Sequence, residues 1–148
     1  VRNACDHGIE STEDMVTNGK DCGRISMSYR EEQDWAVLTL AENGRGIDGE
    51  RCAQKALEKG LLTAEQVAAL SESQKQELIF LPGLSTKDEV SETSGRGVGM
   101  DAVKAESERW GGKAHPHSQK GNSTRIKLKL PLVLSESCLL EEPLRKAS

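Results

Sequence analysis

Aromatic residues are nearly missing from this chain: Tyr29, Trp35, Phe80 and Trp110 are all it has among 148 residues. The core must therefore be aliphatic, and no platform is visible on which successive bases could stack. An excess of positive charge is missing too. Lys and Arg number 20 against 24 Asp and Glu, a net charge of −4. Non-specific nucleic-acid binding wants a basic face, so nucleic acid is not an expected partner. No apolar run nears the roughly 20 residues of a membrane span, and no signal-peptide pattern is present. Membrane insertion is not expected, and the expected compartment is the cytoplasm. Cys5, Cys22, Cys52 and Cys138 are widely spaced without a Cys-x-x-Cys pair. That argues against zinc or a redox motif and for reduced thiols. There is no internal repeat or low-complexity tract, and the length suits one domain.

What is present reads as strands with helices between them. Residues 1–9 fit the end of a helix stopped by Gly8. Residues 11–23 are polar and predict a loop. Ile25, Met27 and Tyr29 alternate as a strand does, and Trp35 to Leu40 is apolar on both faces, as inside a sheet. Cys52, Ala53, Ala56 and Leu57 share one helical face that ends at Gly60. Thr63 with Gln66, and Ser71 with Gln74, fit capping boxes that start short helices. Residues 80–97 predict a long loop, of the kind that is usually functional inside a compact domain. The helix after Gly97 carries Met100, Val103 and Trp110 on one face, interrupted by Ser107. "GKAHPHS" makes a poor strand, because Pro116 cannot donate to a ladder except at an edge. Ile126, Leu128 and Leu130 alternate with Arg125, Lys127 and Lys129, a strand with one wet face.

Four stretches carry candidate chemistry. "SGRGVGMDAVK" (94–104) sets three glycines at every second position ahead of a helical pattern. Each costs roughly 1 kcal/mol relative to alanine in or beside a helix. The gain would be close approach of backbone amides to a phosphate; the stretch alone fits a flexible loop equally well. "VRNACDHGIE" puts Asn3 and His7 four apart on one helical face. This is either an ordinary polar surface or a place where an amide oxygen meets Mg²⁺ on nucleotide phosphates. "ENGRGID" sets Glu42 at a strand end before Gly44 and Gly46. It is either a surface turn or a carboxylate that accepts a hydrogen bond from an amino group such as that of adenine. The run from Phe80 to Asp101 joins a hydrophobic hinge, a polar loop and the glycine-rich turn, as a lid over phosphates would.

In this order the stretches resemble the N, G1, F and G2 boxes and the final strand of the GHKL ATPases. Within that superfamily the chain is most similar to the kinase domain of the CheA-type chemotaxis histidine kinases. "RNACDHGIE", "NGRGID", "KALEKGLL", "FLPGLSTKDEVSETSGRGVGMD" and "LKLPL" carry the likeness, which runs from Val1 to about Leu134. It implies an α/β fold: a two-layer α/β sandwich of the GHKL (Bergerat) type, a mixed sheet with helices on one face. Because the chain starts inside the N box, that fold is expected to lack its first strand and helix. Residues 1–134 would form the ATP-binding domain and 135–148 a C-terminal tail.

The resemblance also implies roles. Asn3 matches the ligand of Mg²⁺ bound with ATP, and Asp6 and His7 match neighbours lining the nucleotide site. Glu42 holds the adenine-reading position, with Gly44, Gly46 and Ile47 as the turn beneath the base. Arg51 and Lys55 match basic residues near the phosphates. Leu81, Ser85 and Thr86 fall in the lid hinge. Gly95, Arg96, Gly97, Val98 and Gly99, with Met100 beside them, match the phosphate-cradling turn, and Thr124 matches a hydroxyl near the adenine. The implied reaction moves the γ-phosphoryl of Mg·ATP to a histidine on a separate phosphotransfer domain. The protein's part is positioning and charge neutralisation. Response regulators and receptor-coupling proteins are implied partners through the rest of such a kinase.

The chain departs from the family pattern at three places. The adenine-reading residue is normally aspartate, and the extra methylene of Glu42 displaces the carboxylate. A charge-assisted hydrogen bond there is worth roughly 1.5–3 kcal/mol, or about 10- to 100-fold in affinity. Glu106 and Ser107 stand where apolar residues are usual, and "KAHPHS" replaces an apolar strand. These departures keep open a degenerate GHKL domain that acts as a non-catalytic nucleotide-binding or docking module. A gyrase- or chaperone-type ATPase is a third reading, against which the lid sequence argues.

Overall fold

Two tight turns set the sheet. In the computed structural model, residues 4–84 and 99–132 are described, apart from the side chains of Asp6 and His7. Strand β1 (Ile25–Glu32) turns through Gln33, at φ 55°, into β2 (Trp35–Glu42). Strand β3 (Lys113–Gln119) turns through Gly121, at φ 78°, into β4 (Ser123–Pro131). The two hairpins join where β2 pairs with β4, giving the order β1-β2-β4-β3. Every pairing among these strands is antiparallel, where the resemblance implied a mixed sheet. Connections this short cannot link parallel neighbours.

The register sorts the side chains. Leu38 faces Leu128 and Leu40 faces Ile126 across β2 and β4, so these four share one side of the sheet. Arg125, Lys127 and Lys129 share the other. The second strand lies inside the sheet, as its apolar run suggests. β1 forms as expected, yet Met27 and Tyr29 are 66% and 57% exposed, because β1 is an edge against which no described helix packs extensively. β3 does form, at the opposite edge, where Pro116 sits across from Ile126.

The helical layer holds most of the core. Helix α2 (Gly49–Glu58) is capped by Asp48, which accepts from the Arg51 amide at 3.1 Å. It buries Ala53 and Ala56 as expected, but Leu57 turns outward. Helices α3 (Ala64–Ala68) and α4 (Glu72–Glu77) begin at the Thr63 and Ser71 capping boxes. A 3₁₀ turn, Leu78–Phe80, follows. Ala53, Ala56, Leu78 and Leu84 form the buried cluster, with Leu62, Val67, Leu70 and Leu81 packed around it.

Two segments differ from expectation. The polar stretch after Ser11 contains a helix, α1 (Thr12–Thr17), capped by Ser11 and anchored by Met15 at 2% exposure. One apolar anchor is too few to show as periodicity. In α5 (Met100–Arg109) the interrupting Ser107 is itself buried, and its hydroxyl donates to the Val103 carbonyl at 2.8 Å. Glu106 stays outside and accepts from the Trp110 indole at 2.6 Å. Both departures from an apolar pattern are thereby satisfied locally.

Helix α4 is tied to the edge of the sheet by one side chain. Gln76 donates to the Ser118 carbonyl at 3.0 Å and accepts from the Ser118 amide at 3.2 Å, in effect extending the ladder beyond β3. At about 1 kcal/mol per hydrogen bond, Gln76→Ala is expected to lower stability by about 2 kcal/mol in urea unfolding. Gln76→Glu, which keeps the acceptor and loses the donor, should fall between the two.

Candidate functional site

Strand β2 ends on a buried acid. Glu42 is 6% exposed, and two glycines, Gly8 and Gly44, pack against its side chain. The N-terminal turn, Ala4–Gly8, is a single π-helical turn closed by the Ile9 amide on the Ala4 carbonyl at 2.9 Å. It brings Gly8 against Glu42: a Cβ on Gly8 would sit 3.0 Å from the carboxyl carbon. A Cβ on Gly44 would collide with the Gly8 carbonyl. Only glycine permits two backbone segments to approach so closely. The Arg45 amide then donates to the Gly8 carbonyl at 3.0 Å, sealing the contact.

The Glu42 carboxylate is half satisfied. Oε2 accepts the Gly44 amide, while Oε1 is buried and has no hydrogen-bond partner among the described residues. A buried polar atom left unpaired costs roughly 1–3 kcal/mol, more if charged. Such an atom asks for an explanation. A donor brought by a ligand supplies one. The displaced carboxylate expected from the extra methylene is thus turned back onto the Gly44 amide, leaving one oxygen for a donor.

The rest of the loop is held by its neighbours. Lys20 donates to the Gly44 carbonyl at 2.7 Å and pairs with Glu10 at 2.6 Å, with both side chains largely buried. Gly46, at φ 73°, lies against the Gln119 carbonyl with no room for a Cβ. The Gly121 amide donates to the Arg45 carbonyl at 2.6 Å. The Ile47 amide donates to the Ser118 hydroxyl at 2.7 Å, and that hydroxyl donates to the Ser123 carbonyl at the same distance. Thr124 stands directly across from Glu42 on β4.

Glu42, Gly44, Gly46, Ile47 and Thr124 therefore gather at one end of the sheet. Gly99 has extended backbone and precedes α5, of which Met100 is the first residue. Arg51 is exposed and Lys55 half-buried on α2, while Leu81 packs on the helical core. Asp6 and His7 lie on the N-terminal turn, their side chains outside the description. Asn3, Ser85, Thr86, Gly95, Arg96, Gly97 and Val98 lie outside the described residues. Among the described residues no group of His, Cys, Asp and Glu could hold a metal ion. Nor is any described helix long and apolar enough to cross a membrane.

Sequence reasoning missed Gly8, Lys20 and Ser118. Gly8 reads as an ordinary helix stop, and nothing in local spacing shows that it meets Gly44. Lys20 and Ser118 act over 24 and 71 positions in sequence, beyond any motif window.

A helical layer against an antiparallel sheet, with a half-satisfied acid at a strand end, defines a two-layer α/β class with a candidate ligand site. The family model for histidine kinase-, DNA gyrase B- and HSP90-like ATPases matches residues 1–134, and the chain belongs to that family. Over 136 residues, 91% of this chain, it is 47% identical to a gliding motility regulatory protein of Myxococcus xanthus, covering 18% of that protein. It is 37% identical to chemotaxis protein CheA of Bacillus subtilis, covering 20% of it. It is 39% identical to sensor histidine kinase CheAY of Helicobacter pylori, covering 17% of it. Within the family the chain is a CheA-type ATPase domain, and it spans about a fifth of the length of these relatives.

Two outcomes follow from this geometry. Lys20→Ala leaves Glu10 buried without its cation, and breaking such a pair costs about 3 kcal/mol or more. Urea unfolding of the single variant should show that loss, and Lys20→Ala combined with Glu10→Gln should recover part of it. The second concerns Asp48, held below the usual aspartate range by the Lys120 ammonium, then by the Arg51 amide. A depressed folded pKa gives stability that is full above the unfolded value of about 3.9 and lost as pH falls through the folded one. Asp48→Asn should therefore lower the unfolding midpoint at neutral pH and make it fall less steeply in acid.

Proposed function

We propose that the chain binds Mg·ATP with the adenine at Glu42 and acts as the catalytic module of a CheA-like histidine kinase. The observation that carries this reading is the unpartnered Oε1 of Glu42, buried between Gly8 and Gly44. An exocyclic amino group is a donor of the right kind for that oxygen, and a 6-oxo purine offers none there. The residues at this end of the sheet thus fit an adenine.

The remaining assignments rest on the family likeness. Residues 1–134 form the ATP-binding domain and 135–148 a tail. Asn3 ligates the Mg²⁺ that travels with ATP, and Asp6 and His7 line the site. Arg51 in the first turn of α2 and Lys55 in its last turn meet phosphate charge. The segment from Leu81 through Ser85 and Thr86 hinges a lid, and the turn from Gly95 to Gly99 presents its amides to the phosphates. Thr124 stands beside the base. Mg²⁺ held with the nucleotide by Asn3 would supply neutralisation of phosphate charge, and the γ-phosphoryl would pass to a histidine on a separate phosphotransfer domain. This chain's residues orient the nucleotide and exclude water; none forms a covalent bond. Receptor-coupling proteins and response regulators act through other parts of the kinase, in the cytoplasm.

Calorimetric titration with Mg·ATP, and with its non-hydrolysable analogue, tests the reading. Saturable, Mg²⁺-dependent binding is expected, weakened about 10- to 100-fold in Glu42→Ala by loss of a charge-assisted hydrogen bond. No binding by a folded sample, or binding unchanged in Glu42→Ala, would contradict it.

A further inference from the structure

The side of the sheet that faces away from Leu38, Leu40, Ile126 and Leu128 has an unusual charge. Register places Arg30, Lys129 and Lys113 in one row across the strands, Lys127 in the next, and Arg125 in the one after. With Arg24 just before β1, six of the chain's 20 cationic residues lie on or beside this face. Among the described acidic residues Glu32 shares this face, already engaged by Arg30 at 2.7 Å, and Glu77 reaches its β3 edge, 3.3 Å from His115. In a chain of net charge −4 this is a segregated field. A merely solvated face would mix both signs.

The cations are available. Arg24, Lys113 and Arg125 are exposed, and the side chains of Arg24 and Arg125 make no ion pair with a described residue. The Lys129 ammonium lies over the Trp35 ring, 5.0 Å from its centroid, a cation–π contact that fixes its position on this face. At the far end Arg24, Ser26, His117 and Arg125 line a shallow concavity of about 320 Å³ that Glu42 and Thr124 also line. Along β4 the residues Arg125, Lys127 and Lys129 repeat at about 7 Å, the two-residue period of an extended chain.

We propose that this face docks an acidic, extended polypeptide segment of a partner protein. Charge complementarity with a matched repeat favours a short run of alternating carboxylates lying along β4. A long polyanion such as nucleic acid would meet the net negative charge of the rest of the chain. A lipid surface would find little to insert into, since Val37 on this face is fully buried and Trp35 is covered by Lys129. The face lies on the far side of the sheet from Leu40 and the Glu42 row. The concavity at its end also has Glu42 and Thr124 in its lining, so the docking run is the row of cations along β4 from Arg125 to Lys129.

The probe is a fluorescently labelled peptide of alternating glutamate and serine, titrated with the whole chain at low salt and followed by anisotropy. Saturable binding is expected, weakening as salt rises, with none for the glutamine–serine analogue. Arg125→Glu with Lys127→Glu should weaken binding by roughly 10-fold or more. Arg125→Gln with Lys127→Gln should show a smaller loss in the same direction, and Lys59→Glu on the helical layer should leave binding unchanged. Circular dichroism of each variant identifies any loss that comes from misfolding. Absence of saturable binding by the wild-type chain, or equal binding by the folded charge-reversal variant, would overturn the proposal. So would tighter binding of a thymidine oligonucleotide or of phosphatidylserine vesicles through the same residues.

Discussion

The contact between Gly8 and Gly44 around the Glu42 carboxylate is the constraint on which this end of the molecule depends. Two backbone segments far apart in sequence meet there with no side chain between them. The carboxylate that fills the remaining space accepts from the Gly44 amide. A methyl group at either glycine would push the N-terminal turn away and open the acid to water. Closed, the contact holds a buried carboxyl group whose second oxygen has no partner among the described residues. Folding bears that cost, and a ligand with a donor relieves it.

Other features serve to keep the contact shut. Lys20 reaches from behind α1 to the Gly44 carbonyl while neutralising Glu10. The β3–β4 hairpin presses on Gly46 and receives the Ile47 amide through Ser118. Gln76 then fixes Ser118 to α4, and α4 belongs to the helical core built on Ala53, Ala56 and Leu78. A chain of hydrogen bonds thus runs from the core of the helical layer to the edge strand and on to the loop under the acid. The sheet itself contributes rigidity more than burial, since Val37 is its one fully buried large side chain among the described residues.

How much of this was legible depends on range. The two capping boxes, the alternation in β4 and the end of α2 at Gly60 are local patterns, and the structure has them where the residues indicate. The motifs around Glu42, Gly44 and Gly46 point to the loop at which the buried acid meets Gly8 and Gly44. Helix α1 was hidden because only Met15 anchors it. Met27 and Tyr29 have strand periodicity but not burial, since periodicity reports which faces differ and not whether a neighbour covers them. Ser107 looks like a break in an apolar stripe until its hydroxyl is seen to return to the Val103 carbonyl. Gly8, Lys20 and Ser118 owe their roles to contacts that exist only once the chain has folded.

The central claim is that Glu42 reads the adenine amino group through Oε1. The most direct measurement is the affinity for ADP and for IDP, which carries oxygen in place of that amino group, in the wild-type chain and in Glu42→Ala. The account predicts that the wild-type chain prefers ADP by about 10-fold or more, and that the preference disappears in the variant. Equal affinities in the wild-type chain, or a preference that survives in Glu42→Ala, would contradict it.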